Sequence, residues 1–264
     1  MCLGSYTRIF RSFLLRFAFD SHNYMTPIAP YSKRPQHRRN TGRGSPYHSL
    51  CLSENDKYQR QARSVIMDVN VKEITGVWDS GFSLDKHIVS STYVGDNEWG
   101  HAQFDTVRTD VGEAVFRLKY RDDFTKCAEI AQSINDDIVS KLPFISFIVA
   151  MPPSKIRPKQ PVQEIALELA NIAGKLCIDG LLIKSKSTPQ MKDIASRQER
   201  IELLMEAFEI DDKVVAKTLP ETGYNVLIID DLYDTGTSLE AATQTLRECD
   251  KINQIFVATA TRKR

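Results

Sequence analysis

The stretch that most constrains this chain is residues 226–238, Val-Leu-Ile-Ile-Asp-Asp-Leu-Tyr-Asp-Thr-Gly-Thr-Ser. Four consecutive branched apolar residues are typical of a strand buried on both faces in a parallel sheet. Two carboxylates follow where that strand leaves the sheet, and then comes a turn of small residues. A helix is predicted over residues 239–247, with Leu239, Ala242 and Leu246 on one face.

The turn after this strand has the composition of an anion site. Its backbone N–H groups can converge on one phosphate, and the following helix adds the positive end of its dipole. Gly236 permits a close approach of the backbone and unusual dihedral angles. The hydroxyls of Thr235, Thr237 and Ser238 add donors. We therefore predict a phosphate site on these four residues.

The acidic pair, Asp230 and Asp231, needs a different partner, because carboxylates repel phosphate. Two carboxylates suit a sugar diol and Mg²⁺, which both take oxygen acceptors. A Walker B strand also ends in an acidic pair, but the G-x-x-x-x-G-K-[ST] loop that accompanies it does not occur in this sequence. The stretch therefore predicts a ligand with a phosphate, a diol and a magnesium-bound diphosphate.

Residues 226–238 resemble the phosphoribosyl-pyrophosphate (PRPP) signature of type I phosphoribosyltransferases, and depart from it at Tyr233, where the family usually has an aliphatic residue. The resemblance implies an α/β fold of the type I phosphoribosyltransferase kind. That fold has a mostly parallel central sheet flanked by helices, here with a small β-rich N-terminal addition. It also implies transfer of the phosphoribosyl group to an unknown base or amine. The alternative is a protein of the same fold that senses PRPP or a nucleotide without turnover.

The resemblance also implies roles for individual residues. Asp230 and Asp231 would hold the ribose hydroxyls and Mg²⁺, and residues 235–238 would hold the 5-phosphate. Asp234 lies where purine-modifying relatives carry a candidate general base. Asp230, Asp231 and Asp234 are therefore the expected catalytic residues.

A basic turn follows a second apolar strand, predicted at residues 144–151. It contains Ser154, Lys155 and Arg157. Because ligands of open α/β sheets bind at the carboxyl ends of the strands, we expect these three residues to bind the leaving pyrophosphate. An ordinary Pro-rich connection is the alternative.

A second polar loop follows the strand predicted at residues 181–183. Phosphoribosyltransferases carry a mobile hood at this place, which closes over the site and excludes water. The resemblance implies hood roles for Lys184, Lys186, Gln190 and Arg200. A solvated loop fits the same composition.

Within that superfamily, residues 109–261 resemble the ComF-like branch, which is related to amidophosphoribosyltransferases. The matching residues are Leu118-Lys119-Tyr120, Pro152, Gln160, Thr188 with Gln190, Arg200 and Ala207-Phe208. Residues 156–160 depart from the Arg-Gly-Phe-Asn-Gln of that branch, Leu203 replaces an Asn, and its N-terminal zinc-binding cysteines are missing. These departures leave the acceptor, and any nucleic-acid role, open.

Residues 1–66 differ in composition from the rest, with a net charge of +8 against −7 for residues 67–264. Residues 31–47 have no hydrophobic period, which indicates disorder. Residues 8–19 fit a short amphipathic or transit-like segment, and Met67 as the native start is the alternative. We predict a disordered 1–66 and one domain over 67–264, divided into a β-rich part (67–108) and a core (109–264).

The β-rich part contains residue types that could bind a metal. They are Trp78, Asp79, Asp85, His87, Trp99, His101 and Asp105. No compact ligand spacing occurs among them, so a hairpin whose polar groups pair with one another is favoured. We predict strands at residues 74–78 and 87–94, joined by a turn at 79–85. This segment could also form one wall of an acceptor pocket.

Periodicity predicts the remaining elements. The predicted helices span residues 110–120 after a Thr109 cap, 124–141, 162–176, and 197 through 208, and a last strand spans 254–259. No apolar run approaches the ~18 residues that would span a membrane. The five cysteines form no close pair, which predicts a reducing, cytoplasmic setting without disulfides. The negative charge of residues 67–264 disfavours a nucleic-acid partner, and self-association stays open.

Overall fold

The computed structural model describes residues 67–186, 194 and 196–263. The predictions for residues 1–66 and for Gln190 concern residues outside these ranges. The strands are β1 Lys72–Glu73, β2 Ser80–Lys86, β3 Ile88–Asp96, β4 Ala102–Arg108, β5 Phe147–Ala150, β6 Leu176–Cys177, β7 Leu182–Lys184, β8 Phe208–Ile210, β9 Tyr224–Tyr233 and β10 Ile252–Arg262. The helices are α1 Asp110–Tyr120, α2 Lys126–Asp137, α3 Pro161–Ala173, α4 Arg197–Met205, α5 Asp212–Thr218 and α6 Thr237–Arg247, with a 3₁₀ turn at Val139–Lys141.

The main sheet has six strands in the order β1-β2-β10-β9-β5-β6. All its neighbouring pairs are parallel except β1 with β2. Its centre is β9, whose apolar residues pack on both sides, as expected for a strand inside a parallel sheet. Leu227 and Ile229 face a core formed with α1, α2 and α3, whereas Val226 and Ile228 face a core formed with α4 and α6. The expected α/β class is confirmed.

Several predicted helices are close to the observed ones. The structure begins α1 at Asp110, and the Thr109 hydroxyl caps it by accepting a hydrogen bond from the Gly112 N–H. The helix predicted to reach residue 176 ends at Ala173, because Gly174 adopts a left-handed conformation (φ 62°) and closes it. Phe208, expected at the end of a helix, begins β8 instead.

The predicted turn at residues 79–85 is wrong. Most of it is β2, which runs parallel to β10 with Phe256 opposite Ser80 and Arg262 opposite Lys86. Residues 74–78, predicted as a strand, instead form a connection in which the Trp78 indole N–H donates to Ile74 O (2.8 Å). Local sequence could not reveal β2, because its partner strand lies more than 150 residues away in the chain.

A β-hairpin, β3–β4, follows directly after β2. Since β2 is parallel to β9, the hairpin starts at the same edge of the sheet as the acidic pair. The strand predicted at 87–94 is confirmed as β3, although its side chains are mostly exposed. Within the described ranges there is no group of three or more His, Cys, Asp or Glu side chains that could hold a metal ion. No described helix is long and apolar enough to cross a bilayer.

Candidate functional site

The central strand β9 carries the acidic pair at its carboxyl end. Successive side chains of a strand point to opposite faces of the sheet. Asp231 therefore continues the face of Leu227 and Ile229, towards α1, and Asp230 continues the face towards α6. The two carboxylates reach the same cavity from different sides, so their environments differ.

The carboxylate of Asp231 already has a cationic partner. Its Oδ2 forms an ion pair with the Lys119 Nζ, at the end of α1. The backbone oxygen of Asp231 also accepts a hydrogen bond from the Thr261 hydroxyl (2.8 Å). Lys119 belongs to the Leu-Lys-Tyr motif in the sequence, but nothing in that motif indicates that its ammonium group reaches β9.

Asp230 lies outside this ion pair, although the charge of Lys119 also lowers its pKa. Its Oδ1 accepts the Asp231 N–H at 2.8 Å, and none of the ion pairs among the described residues includes it. Burial, and then the negative charge of Asp231, raises the pKa of Asp230 to about 8 from its ordinary 3.8. At neutral pH the carboxyl group therefore holds a proton that a bound cation would displace.

The acidic pair fits Mg²⁺ in the chemistry of its donors. Carboxylate oxygens are hard ligands, and Mg²⁺ is commonly bound through one or two carboxylates, with water and substrate phosphates completing its shell. A divalent cation beside Asp230 would offset the burial and repulsion that raise the pKa of this group.

The small-residue turn leads directly into α6. Gly236 is the N-terminal flanking residue of that helix and has φ 75°, a left-handed conformation that favours glycine. The hydroxyls of Thr235 and Thr237 lie 2.8 Å apart. The turn therefore places the first N–H groups of α6 and these hydroxyls together, and its role as an anion site stays a prediction.

Asp234 points to a different neighbour. Its Oδ2 accepts a hydrogen bond from the Lys263 Nζ at 3.0 Å, and its side chain is 45% exposed. The Lys263 N–H also donates to Tyr233 O (2.9 Å), so the end of β10 runs alongside the turn. Asp234 is not among the residues that line the cavity described next.

A cavity of about 710 Å³ opens at the carboxyl end of β5 and β9. It is large enough for a nucleotide-sized ligand, because ligand pockets commonly measure ~300–1,000 Å³. The cavity brings together seven of the predicted site residues: Ser154, Lys155, Arg157, Lys184, Asp230, Asp231 and Ser238. It adds five polar residues to which the sequence had assigned no site role: Lys119, Tyr120, Gln160, Gln163 and Asp179.

The other predicted site residues lie outside the cavity lining. They are Asp234, Thr235, Gly236, Thr237, Lys186 and Arg200. Arg200 lies in the first turn of α4, where its Nε donates to Ser196 O (3.3 Å). The turn at 235–238 meets the cavity through Ser238, so this residue joins the predicted phosphate site to the rest.

The positive and negative side chains of the cavity come from two different loops. Lys155 and Arg157 belong to the turn after β5, and Asp230 and Asp231 to the end of β9. Strands β5 and β9 are direct parallel neighbours, with Ala150 opposite Ile229. The cationic turn and the acidic pair therefore leave the sheet side by side, as the sequence predicted.

Comparisons with known proteins give alignments to solved structures only. No family model matches the chain, and no curated protein matches it. UMP synthase of Leishmania donovani aligns with 63% of this chain and 28% of its own, at 16% identity and a TM-score of 0.31. Adenine phosphoribosyltransferase of Saccharomyces cerevisiae aligns with 65% of this chain and 91% of its own, at 17% identity and a TM-score of 0.33.

Adenine phosphoribosyltransferase of Leishmania tarentolae aligns with 74% of this chain and 95% of its own, at 10% identity and a TM-score of 0.40. At such identities and scores the alignments carry no conclusion about substrate or activity. The ComF-like branch stays a prediction from the sequence.

Proposed function

We propose that this chain binds PRPP with Mg²⁺ at the carboxyl end of β5 and β9, and transfers the phosphoribosyl group to a base or amine. The observation that carries the proposal is the arrangement of three kinds of group around one cavity. A cationic turn and a pair of carboxylates line it, and a small-residue turn at a helix N-terminus reaches it through Ser238. PRPP needs these groups in this order, for its diphosphate, its diol and its 5-phosphate.

Different residues of the site bind different parts of PRPP. Lys155 and Arg157 bind the diphosphate, and Ser238 with the N–H groups of the turn binds the 5-phosphate. Asp230 and Asp231 accept hydrogen bonds from the ribose hydroxyls and hold the metal. Bound Mg²⁺ would neutralise charge on the leaving diphosphate.

The transfer breaks the bond between C1 and the diphosphate oxygen, and the bonding electrons leave with pyrophosphate. A lone pair on the acceptor nitrogen forms the new bond to C1, and the acceptor then releases a proton. The cations of the turn after β5 stabilise the negative charge that develops on the leaving group. The acceptor would occupy the part of the cavity that Tyr120 and Asp179 line.

Calorimetric titration of PRPP, with and without Mg²⁺, tests the binding step. Replacing Asp230 or Asp231 by Asn removes charge-assisted hydrogen bonds worth ~1.5–3 kcal/mol each. We expect each variant to bind PRPP about ten- to hundredfold more weakly than the wild type. Asp212→Asn, on the exposed face of α5, is the matched control and should bind normally. Tight binding without Mg²⁺ in both Asn variants, with the fold intact, would refute the proposal.

A second candidate function is binding of PRPP or a nucleotide without turnover. The observation that favours it is the pairing of Asp234, the candidate base, with Lys263 outside the cavity. Pyrophosphate release measured over a panel of purines, pyrimidines and amines separates the two functions. Release with any acceptor identifies an enzyme, whereas PRPP binding without release identifies a sensor.

A further inference from the structure

Tyr233 is the one residue at which the stretch 226–238 departs from the PRPP signature. The structure places its ring against the turn that would bind the 5-phosphate. A Cβ atom at Gly236 would lie 2.9 Å from Cε2 of Tyr233, so only glycine leaves room for the ring. The aromatic ring therefore lies beneath the backbone at the point where the turn becomes left-handed.

The other side of the Tyr233 ring is held by the connection between β1 and β2. Its hydroxyl donates to Thr75 O at 3.4 Å. Its ring also meets Trp78 edge-on, with ring centroids 6.3 Å apart and an interplanar angle of 86°. Edge-to-face pairs at this separation are favourable and directional.

Trp78 is itself rigidly placed. Its side chain is buried, and its indole N–H donates to Ile74 O at 2.8 Å. The ring covers two glycines, since a Cβ atom at Gly76 or Gly81 would lie within 2.4 Å of indole atoms. Trp78 can therefore fix the position of the Tyr233 ring. An aliphatic residue at position 233 could not form this ring contact.

We propose that Tyr233 is a positioning residue for the phosphate turn. Through Tyr233, the Trp78 connection of the β-rich N-terminal part sets the backbone geometry of residues 235–238, and with it the affinity for a sugar phosphate. The inference rests on the proposed function, because it assigns the 5-phosphate to this turn. It predicts that the aromatic ring, rather than the hydroxyl, controls binding at the phosphate end only.

The test compares Tyr233→Leu, which introduces an aliphatic residue, with Tyr233→Phe, which keeps the ring. Each is titrated with ribose 5-phosphate and, separately, with pyrophosphate and Mg²⁺. For the Leu variant we expect at least about a tenfold loss for ribose 5-phosphate, because small displacements of a binding group are costly, and less than about a twofold change for pyrophosphate. The Phe variant should bind both ligands within about twofold of the wild type.

Fluorescence gives a readout that a purely structural role would not change. The chain has two tryptophans, Trp78 and Trp99, and Trp99 lies exposed in the β3–β4 hairpin. In a Trp99→Phe background the emission comes from Trp78 alone. Ribose 5-phosphate should change this emission when residue 233 is Tyr or Phe, but not when it is Leu at matched saturation.

Three results would overturn the inference. They are normal ribose 5-phosphate affinity in the Leu variant, an equal loss for both ligands, and a Phe variant as weak as the Leu variant. If the wild type itself binds pyrophosphate and PRPP but the Leu variant is unaffected, only this inference fails. If the wild type binds none of the three ligands, the proposed function fails as well.

Discussion

Replacing Asp230 by Asn should make the protein more stable, although it should weaken ligand binding. The carboxyl group is partly buried beside Asp231, and its pKa in the folded protein is raised to about 8. In the unfolded chain the same group titrates near its ordinary 3.8. Between these two values the folded state holds a proton that the unfolded state has released, so folding becomes less favourable as pH rises.

The sign and the pH window follow from these two values. The contribution of Asp230 to folding is neutral below about pH 4, becomes steadily more unfavourable up to about pH 8, and is constant above it. Asn has nearly the same shape and keeps an oxygen that can accept the Asp231 N–H, but it does not titrate. The variant should therefore match the wild type at pH 4 and exceed it increasingly towards pH 8–9.

The pKa shift sets the size of this stabilisation. One pKa unit corresponds to ~1.4 kcal/mol. Because this partly buried site relaxes and admits water, we take half of the full shift, which gives about 3 kcal/mol. For a domain of this size that is roughly 6–12 °C in Tm.

Thermal unfolding of both proteins from pH 4 to pH 9 is the assay. Asp234→Asn is the matched control, because its exposed ion pair with Lys263 contributes little to stability. Parallel pH profiles for the wild type and Asp230→Asn, or an Asn variant that melts lower at pH 8, would show that the carboxylate is better solvated or better paired than described.

Three other predictions concern different parts of the molecule. Lys155→Ala and Arg157→Ala should weaken binding of pyrophosphate with Mg²⁺ but leave ribose 5-phosphate affinity nearly unchanged in calorimetry, since this turn faces only the leaving group; an equal loss for both ligands would contradict that role. Lys119→Met should lower the free energy of unfolding by about 1–3 kcal/mol in urea titrations, because Asp231 loses its partner, and unchanged stability would mean that the pair is fully solvated. A chain that starts at Met67 should melt within a few degrees of the full chain, whereas a loss of several degrees would show that residues 1–66 support the fold.

Much of the candidate site could be predicted because it is local in sequence. The strand β9, its acidic pair, the small-residue turn and α6 follow one another within 24 residues, Tyr224–Arg247. The turn with Lys155 and Arg157 was predicted to reach the same site, since carboxyl ends of parallel strands share one edge of a sheet. Hydrophobic period and turn composition are properties of neighbouring residues, so these elements were visible without a structure.

The different environments of the two carboxylates could not be predicted. In the sequence Asp230 and Asp231 are equivalent neighbours, yet one is buried and paired with Lys119, and the other is partly buried without an ion pair among the described residues. The difference comes from the alternation of side chains along β9, and from which helix packs on each face of the sheet.

Local sequence patterns were enough to predict the class of fold and the chemical types of group at the end of β9, because short-range patterning controls both. Long-range packing places Ser80–Lys86 in the sheet beside β10, and thereby brings Trp78 against Tyr233. Contacts of this kind join residues more than 150 positions apart. They depend on how whole elements pack, and no local period or spacing encodes that.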